Sequence, residues 1–234
     1  MRFATVAVLG LAAAMAIGCQ YPRDPEGTLD RVSGGTMRVG VIDHPPWAEW
    51  NGGEPRGVEP RLIREFAGEL DAEIEWFDGT EEELVEALRG FQLDVVIGGL
   101  TRASPAAMHA ALTRPYIDTE IQYAVRPGES LPDDLDGVRV WVEEGSEAAA
   151  LMRQEEDGAI PVYVDDVTQV ESPALLDTYD IEALGFERTD NIKRDDEHAM
   201  AVPMGENAFL VELDNFLLDR GAEAEEILAE EAAQ

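Results

Sequence analysis

The sequence predicts an α/β fold built in two halves, and three observations carry that expectation. Strand-like and helix-like stretches alternate from Met37 to Leu100, the pattern of a parallel, right-handed α/β unit. A second strand-glycine-helix series begins at Val138. In both halves a short apolar run stops at a glycine beside a hydroxyl residue, at Gly99-Leu100-Thr101 and at Gly145-Ser146; ligands bind open α/β sheets at such strand ends.

The first half starts with Met37–Asp43, a β-rich run halted by His44-Pro45-Pro46-Trp47, because proline offers no backbone donor to the ladder. Trp47 is thereby expected at a strand end. The spacing of Leu62, Ile63, Phe66, Ala67 and Leu70 is helical, and Glu73–Phe77 alternates as a strand. Thr80 with Glu83 forms a capping box for a helix closed by Gly90. Asp94–Ile97 is then a buried strand, and Ala103–Ala111 is weakly helical. Tyr116 to Val125 reads as an extended segment leaving this half.

In the second half Val138–Val142, Pro161–Val164 and Ala174–Asp177 read as strands, with a helix through Ala148, Leu151 and Met152. His198–Pro203 is extended, a helix carries Ala208, Phe209, Leu213, Phe216 and Leu217, and the acidic run from Glu223 to Gln234 reads as a frayed tail. The expected division is an export signal over 1–18, a tether over 19–36, a first lobe over 37–124, a second over 125–195, and a return to the first over 196–234. Pro22, Pro25, Gly27, Gly34 and Gly35, without sustained periodicity, suit the tether.

Arg2, the apolar run Phe3–Ala16 and the small residues before Cys19 make the N-terminus an export signal, too short to be a membrane span. Its ending resembles a bacterial lipobox, which implies lipidation of Cys19 and anchoring to a membrane outside the cytoplasm. Cys19 is the only cysteine, so no disulfide forms within the chain. Against 50 Asp+Glu stand 17 Lys+Arg, a net charge of −33, and Lys193 is the only lysine. Such a field repels phosphate backbones, which excludes nucleic acid as a partner. Carboxylates spread along the whole chain suit a saline, halophilic setting in which salt screens their repulsion. His44, His109 and His198 stand in unlike contexts without paired spacing, so no metal site is expected, and no cofactor motif is present.

Taken together, Pro45-Pro46-Trp47, Gly57-Val58-Glu59, Asp94–Thr101, Thr113–Tyr116, Leu135–Val140, Gly145-Ser146 and Met200–Pro203 resemble the family 3 extracytoplasmic solute-binding proteins. The resemblance implies a two-lobed type II periplasmic-binding-protein clamshell, monomeric and not an enzyme. Its cleft would close on a small polar solute for an ABC permease. It also implies ligand-binding roles for Trp47 as an aromatic wall, for backbone groups near Gly99, for the Thr101 hydroxyl, for Ser146, and for Asp177 or Asp180 on a substrate amine. Amino-acid binders of this family carry an arginine for the ligand carboxylate where equal spacing from Thr101 gives Ala106. That departure points away from a standard amino acid, with Arg102 the nearest substitute. Two other readings stay open: a non-transporting sensor or scaffold of this fold, and a periplasmic dehydratase using Glu144, Arg102 and Arg114.

Overall fold

A computed structural model of the chain describes residues 22–154 and 158–232; Cys19 and the export signal lie outside the described residues. The first helix among the described residues is α1 (Thr28–Val32), and a first five-stranded sheet follows. Its parallel centre is β1 (Thr36–Val41), flanked by β2 (Glu73–Asp78) and β3 (Val95–Ile97). Helix α2 (Val58–Glu69) makes the first crossover and α3 (Glu81–Arg89) the second. α3 starts at the expected capping box: the Thr80 hydroxyl accepts from the Glu83 N–H while the Glu83 carboxylate accepts from the Thr80 N–H. The helix ends at Gly90, yet the left-handed residue there is Phe91, with φ 54°.

The weakly helical stretch is a 3-10 turn, Pro105–Met108, followed by the short strand β4 (Ala111–Leu112). The chain then crosses into a second five-stranded sheet through β5 (Ile117–Val125). That sheet holds β6 (Arg139–Glu143), β7 (Ile160–Val164) and β8 (Ala174–Asp177), with helix α4 (Glu147–Met152) after β6 and the one-turn helix α5 (Thr178–Ile181) after β8. β9 (Glu187–His198) runs antiparallel to β5 and carries the chain back. β10 (Ala201–Val202) then inserts antiparallel between β3 and β4. Helices α6 (Asn207–Asp219) and α7 (Gly221–Ala232) finish the fold. The two sheets are therefore joined by two adjacent antiparallel segments, where Ile117 pairs with His198.

Three stretches differ from the sequence expectation. Residues expected in the tether fold: Val32 is fully buried, and the Asp24 carboxylate accepts from the Ala208 and Phe209 N–H groups at the start of α6. The tail expected to fray is helical, because Ala224, Ile227 and Leu228 place one apolar stripe against the core while the glutamates face water. β9 was not expected as a strand, because its twelve residues are mostly charged; it is paired along one edge and its other edge is the border of the sheet.

One buried carboxylate organises the first sheet. Glu59, in the first turn of α2, has no exposed surface; one of its oxygens accepts from the N–H groups of Gly98 and Gly99, and the other from the Tyr116 hydroxyl at 2.6 Å. Burial pushes its carboxyl above the usual range, and those three donors pull it back. Gly99 sits at φ 69°, and a Cβ there would stand 2.5 Å from the Trp47 ring. Glu59→Ala should cost about 3–5 kcal/mol in denaturant unfolding, since it leaves three buried donors unpaired, whereas Glu59→Gln, which keeps an acceptor oxygen, should cost less than half of that.

Candidate functional site

A cavity of about 570 Å³ lies between the two sheets. The first lobe contributes Asp43 to Pro46, which follow β1. From the second come Glu143 to Ala148, between β6 and α4, and Asp177, Tyr179 and Asp180, where β8 passes into α5. Glu231 and Ala232 of α7 complete the wall. Among the described residues the wall thus carries seven carboxylates, and its single basic group is His44.

Those carboxylates are not equivalent. Glu144 pairs with Arg153 at 2.5 Å. Glu147 is shared: His44 Nε2 approaches it to 3.4 Å across the interlobe gap, and Arg194 of β9 donates to its other oxygen while also reaching Asp196 at 2.6 Å. Asp43 accepts from the Trp50 N–H. Asp177 is different. It is only 8% exposed, opens on the cavity, and its carboxylate has no hydrogen-bond partner among the described residues; standing at the start of α5, it makes no capping bond there. Burial first, then repulsion from Glu147 and Asp180, pushes its carboxyl up to about 8. Asp180 is pushed to about 6 by burial and by Glu143, and Glu143 is raised by burial and by Asp166.

The residues singled out in the sequence are only partly brought together. Ser146 and Asp177 line the cavity. The Ser146 hydroxyl donates to the Glu143 carbonyl at 2.8 Å and accepts from the Ala149 N–H at 3.0 Å, which makes it the N-cap of α4. Trp47 is 1% exposed and sits beneath the cavity instead of facing it. Its ring stacks on His198 at 3.7 Å and meets Tyr179 edge-on at 6.1 Å. The Pro45-Pro46 turn puts His44 in the wall and turns Trp47 inward. Trp47→Ala is therefore expected to destabilise the protein by about 3–5 kcal/mol, measured by thermal or denaturant unfolding.

The backbone around Gly99 is already engaged, by Glu59 on its N–H groups and by His44 Nδ1, 3.0 Å from the Gly98 carbonyl oxygen. Thr101 accepts from the Ala103 N–H, a local cap. Arg102 is exposed and pairs with Glu197 at 2.7 Å. Ala106 is buried with Leu84, Val85 and Leu88 on the far side of β3, away from the cavity lining. Arg114 pairs with Asp214 of α6, so neither it nor Arg102 joins Glu144 in the cavity wall.

His198 is buried at the crossing. Its Nε2 meets the Thr119 hydroxyl at 2.8 Å, Nδ1 has no hydrogen-bond partner among the described residues, and burial holds the ring neutral with a pKa of about 3. Among the described residues no three His, Cys, Asp or Glu side chains are grouped to hold a metal ion.

The shifts at Asp177 and Asp180 fix the sign of a pH effect. A carboxyl whose folded pKa lies above the unfolded value of about 4 keeps its proton in the native state, so its contribution to stability is present below pH 4 and lost as pH rises through the folded value. Between about pH 4 and 8 the unliganded protein should lose stability. Asp177→Asn should raise the melting temperature at pH 8.5 by about 3 °C or more and change it little at pH 4, measured by differential scanning calorimetry in high salt.

Comparison with known proteins gives this geometry a family. The chain resembles an ancestral cationic amino acid solute-binding protein with a TM-score of 0.69 at 20% identity, covering 88% of this chain and 100% of that one. It resembles the unliganded, open L-cystine solute receptor of Neisseria gonorrhoeae with a TM-score of 0.67 at 16% identity, covering 88% and 99%. A segment of 97 residues is 30% identical to the membrane-bound lytic murein transglycosylase F of Vibrio cholerae; it is 41% of this chain and 18% of that protein. The chain thus spans a minor part of the curated relatives it matches. Residues 37–225 match the family model of bacterial extracellular solute-binding proteins, family 3, and with its two α/β lobes facing each other across a cavity the chain belongs to that family.

Proposed function

We propose that the protein is a lipid-anchored receptor that closes its lobes on a small cationic solute and delivers it to an ABC importer. The observation that carries the reading is Asp177, a buried, unpartnered carboxylate opening on an interlobe cavity whose wall is acidic. An unpaired buried charge is costly, and a bound ammonium or guanidinium group removes that cost while forming charge-assisted hydrogen bonds. His44 and Glu147 bring the two lobes together, so a solute seated beside them touches both and favours the closed state. The export signal and Cys19 support anchoring outside the cytoplasm.

The same geometry argues against a dehydratase, because the arginines that would hold substrate carboxylates are engaged outside the cavity. A second reading, a solute-sensing module without transport, is favoured by the segment similar to murein transglycosylase F. Reconstitution with a permease separates the two: solute-dependent stimulation of its ATPase supports import, and its absence supports sensing.

Calorimetry in molar potassium chloride, with amines, basic, neutral and acidic amino acids as probes, tests the cationic specificity. Amines and basic amino acids should bind and glutamate should not, and Asp177→Asn should weaken binding by about tenfold or more. Binding of an acidic solute, or an unchanged affinity in Asp177→Asn, counts against the reading.

A further inference from the structure

We infer that the solute carries two cationic centres and no carboxylate, the simplest member of the class being a short diamine with an amino group at each end. This rests on the cationic-solute reading above and narrows it.

Two observations carry it. First, three carboxylates of the wall, Glu143, Asp177 and Asp180, make no side-chain hydrogen bond or ion pair among the described residues, and Arg194, whose charge reaches Asp177, is itself held by Glu147 and Asp196. The three lie in sequence along the end of the second sheet, with Glu143 acting electrostatically on Asp180 and Asp180 on Asp177. A single ammonium group facing three adjacent carboxylates leaves the others to repel one another, while a second cation on the same molecule relieves them. The raised pKa of Asp177, about 8, agrees: near neutrality the unliganded cavity retains a proton there that a dication would displace. No metal-ligating cluster is formed by these groups, so the complement is an extended organic cation, and a cavity of about 570 Å³ accommodates one.

Second, the cavity leaves no uncommitted cationic side chain for a carboxylate. A ligand carboxylate in a buried site needs a forked or paired donor, and the cationic side chains nearby are committed. Arg194 holds Glu147 and Asp196, Arg153 holds Glu144, and His44 lies between the Gly98 carbonyl oxygen and Glu147. The amides of Gly98 and Gly99 belong to Glu59. A carboxylate would therefore enter among like charges without a cationic partner.

Cadaverine, lysine and pentylamine form the decisive set, because lysine is cadaverine with a carboxylate added and pentylamine is cadaverine with one amine removed. Putrescine, ornithine and butylamine repeat the comparison one methylene shorter. Titration calorimetry of the full-length protein in molar potassium chloride should give a diamine affinity at least about tenfold above both comparators. Titrations in buffers of different ionisation enthalpy should show proton release on diamine binding between pH 6 and 8. Asp180→Asn should bring the diamine down to the affinity of the monoamine. Tighter binding of lysine or ornithine than of the matching diamine overturns the inference while leaving a cationic solute in place. Equal affinity for monoamine and diamine overturns the two-centre part. Failure of every cation in the set, together with binding of a neutral or acidic solute, overturns both readings.

Discussion

The Glu59 carboxylate is the constraint on which the site depends. It stands at the start of α2, holds the turn after β3 by two amides, and fixes Tyr116 where the chain leaves the first lobe. Three separate parts of the chain thus meet on one buried acid. The turn it fixes presses Gly99 against the Trp47 ring, Trp47 packs on His198 at the returning crossing, and His44 is left in the cavity wall. A group with no exposure can do this only because each oxygen finds a donor; unsatisfied, it would cost more than the turn is worth.

Much of the first lobe was legible because its signals are local. The capping box at Thr80 and Glu83, the β-branched run to Ile97 and the helical spacing from Leu62 each specify their element without reference to distant residues. The missed elements have signals diluted by charge. In β9 and α7 the acidic composition of the whole chain hides a pairing edge in one and an apolar stripe in the other. α1 is only five residues long, and what holds it is the contact of Val32 and Asp24 with parts of the chain far away in sequence.

The lining of the cavity was legible in outline and not in detail. The rule that ligands sit at strand ends pointed to the ends of β1, β3, β6 and β8; the cavity is lined after β1, β6 and β8, and Gly99–Thr101 after β3 is not in its wall. The rule does not say which residue of a loop faces the cavity and which turns inward, and after β1 the answer is His44, not Trp47. Asp177 and Asp180 were named together, on the family resemblance, and both line the cavity. Glu143, Glu147 and Glu231 were not named, because in a chain with 50 acidic residues one more glutamate carries no signal. Only their convergence on one cavity distinguishes them from solvated carboxylates.

Helix α7 touches α2 in the first lobe and α5 and β5 in the second, and its last turn reaches the cavity wall. The lobes are therefore bound at their junction by more than the two crossing strands. Any hinge rotation has to slide one lobe along this helix or carry the helix with it, which limits the angle through which the clamshell can gape. Because Glu231 and Ala232 line the cavity, a reporter group for following closure belongs elsewhere on the surface than beside them.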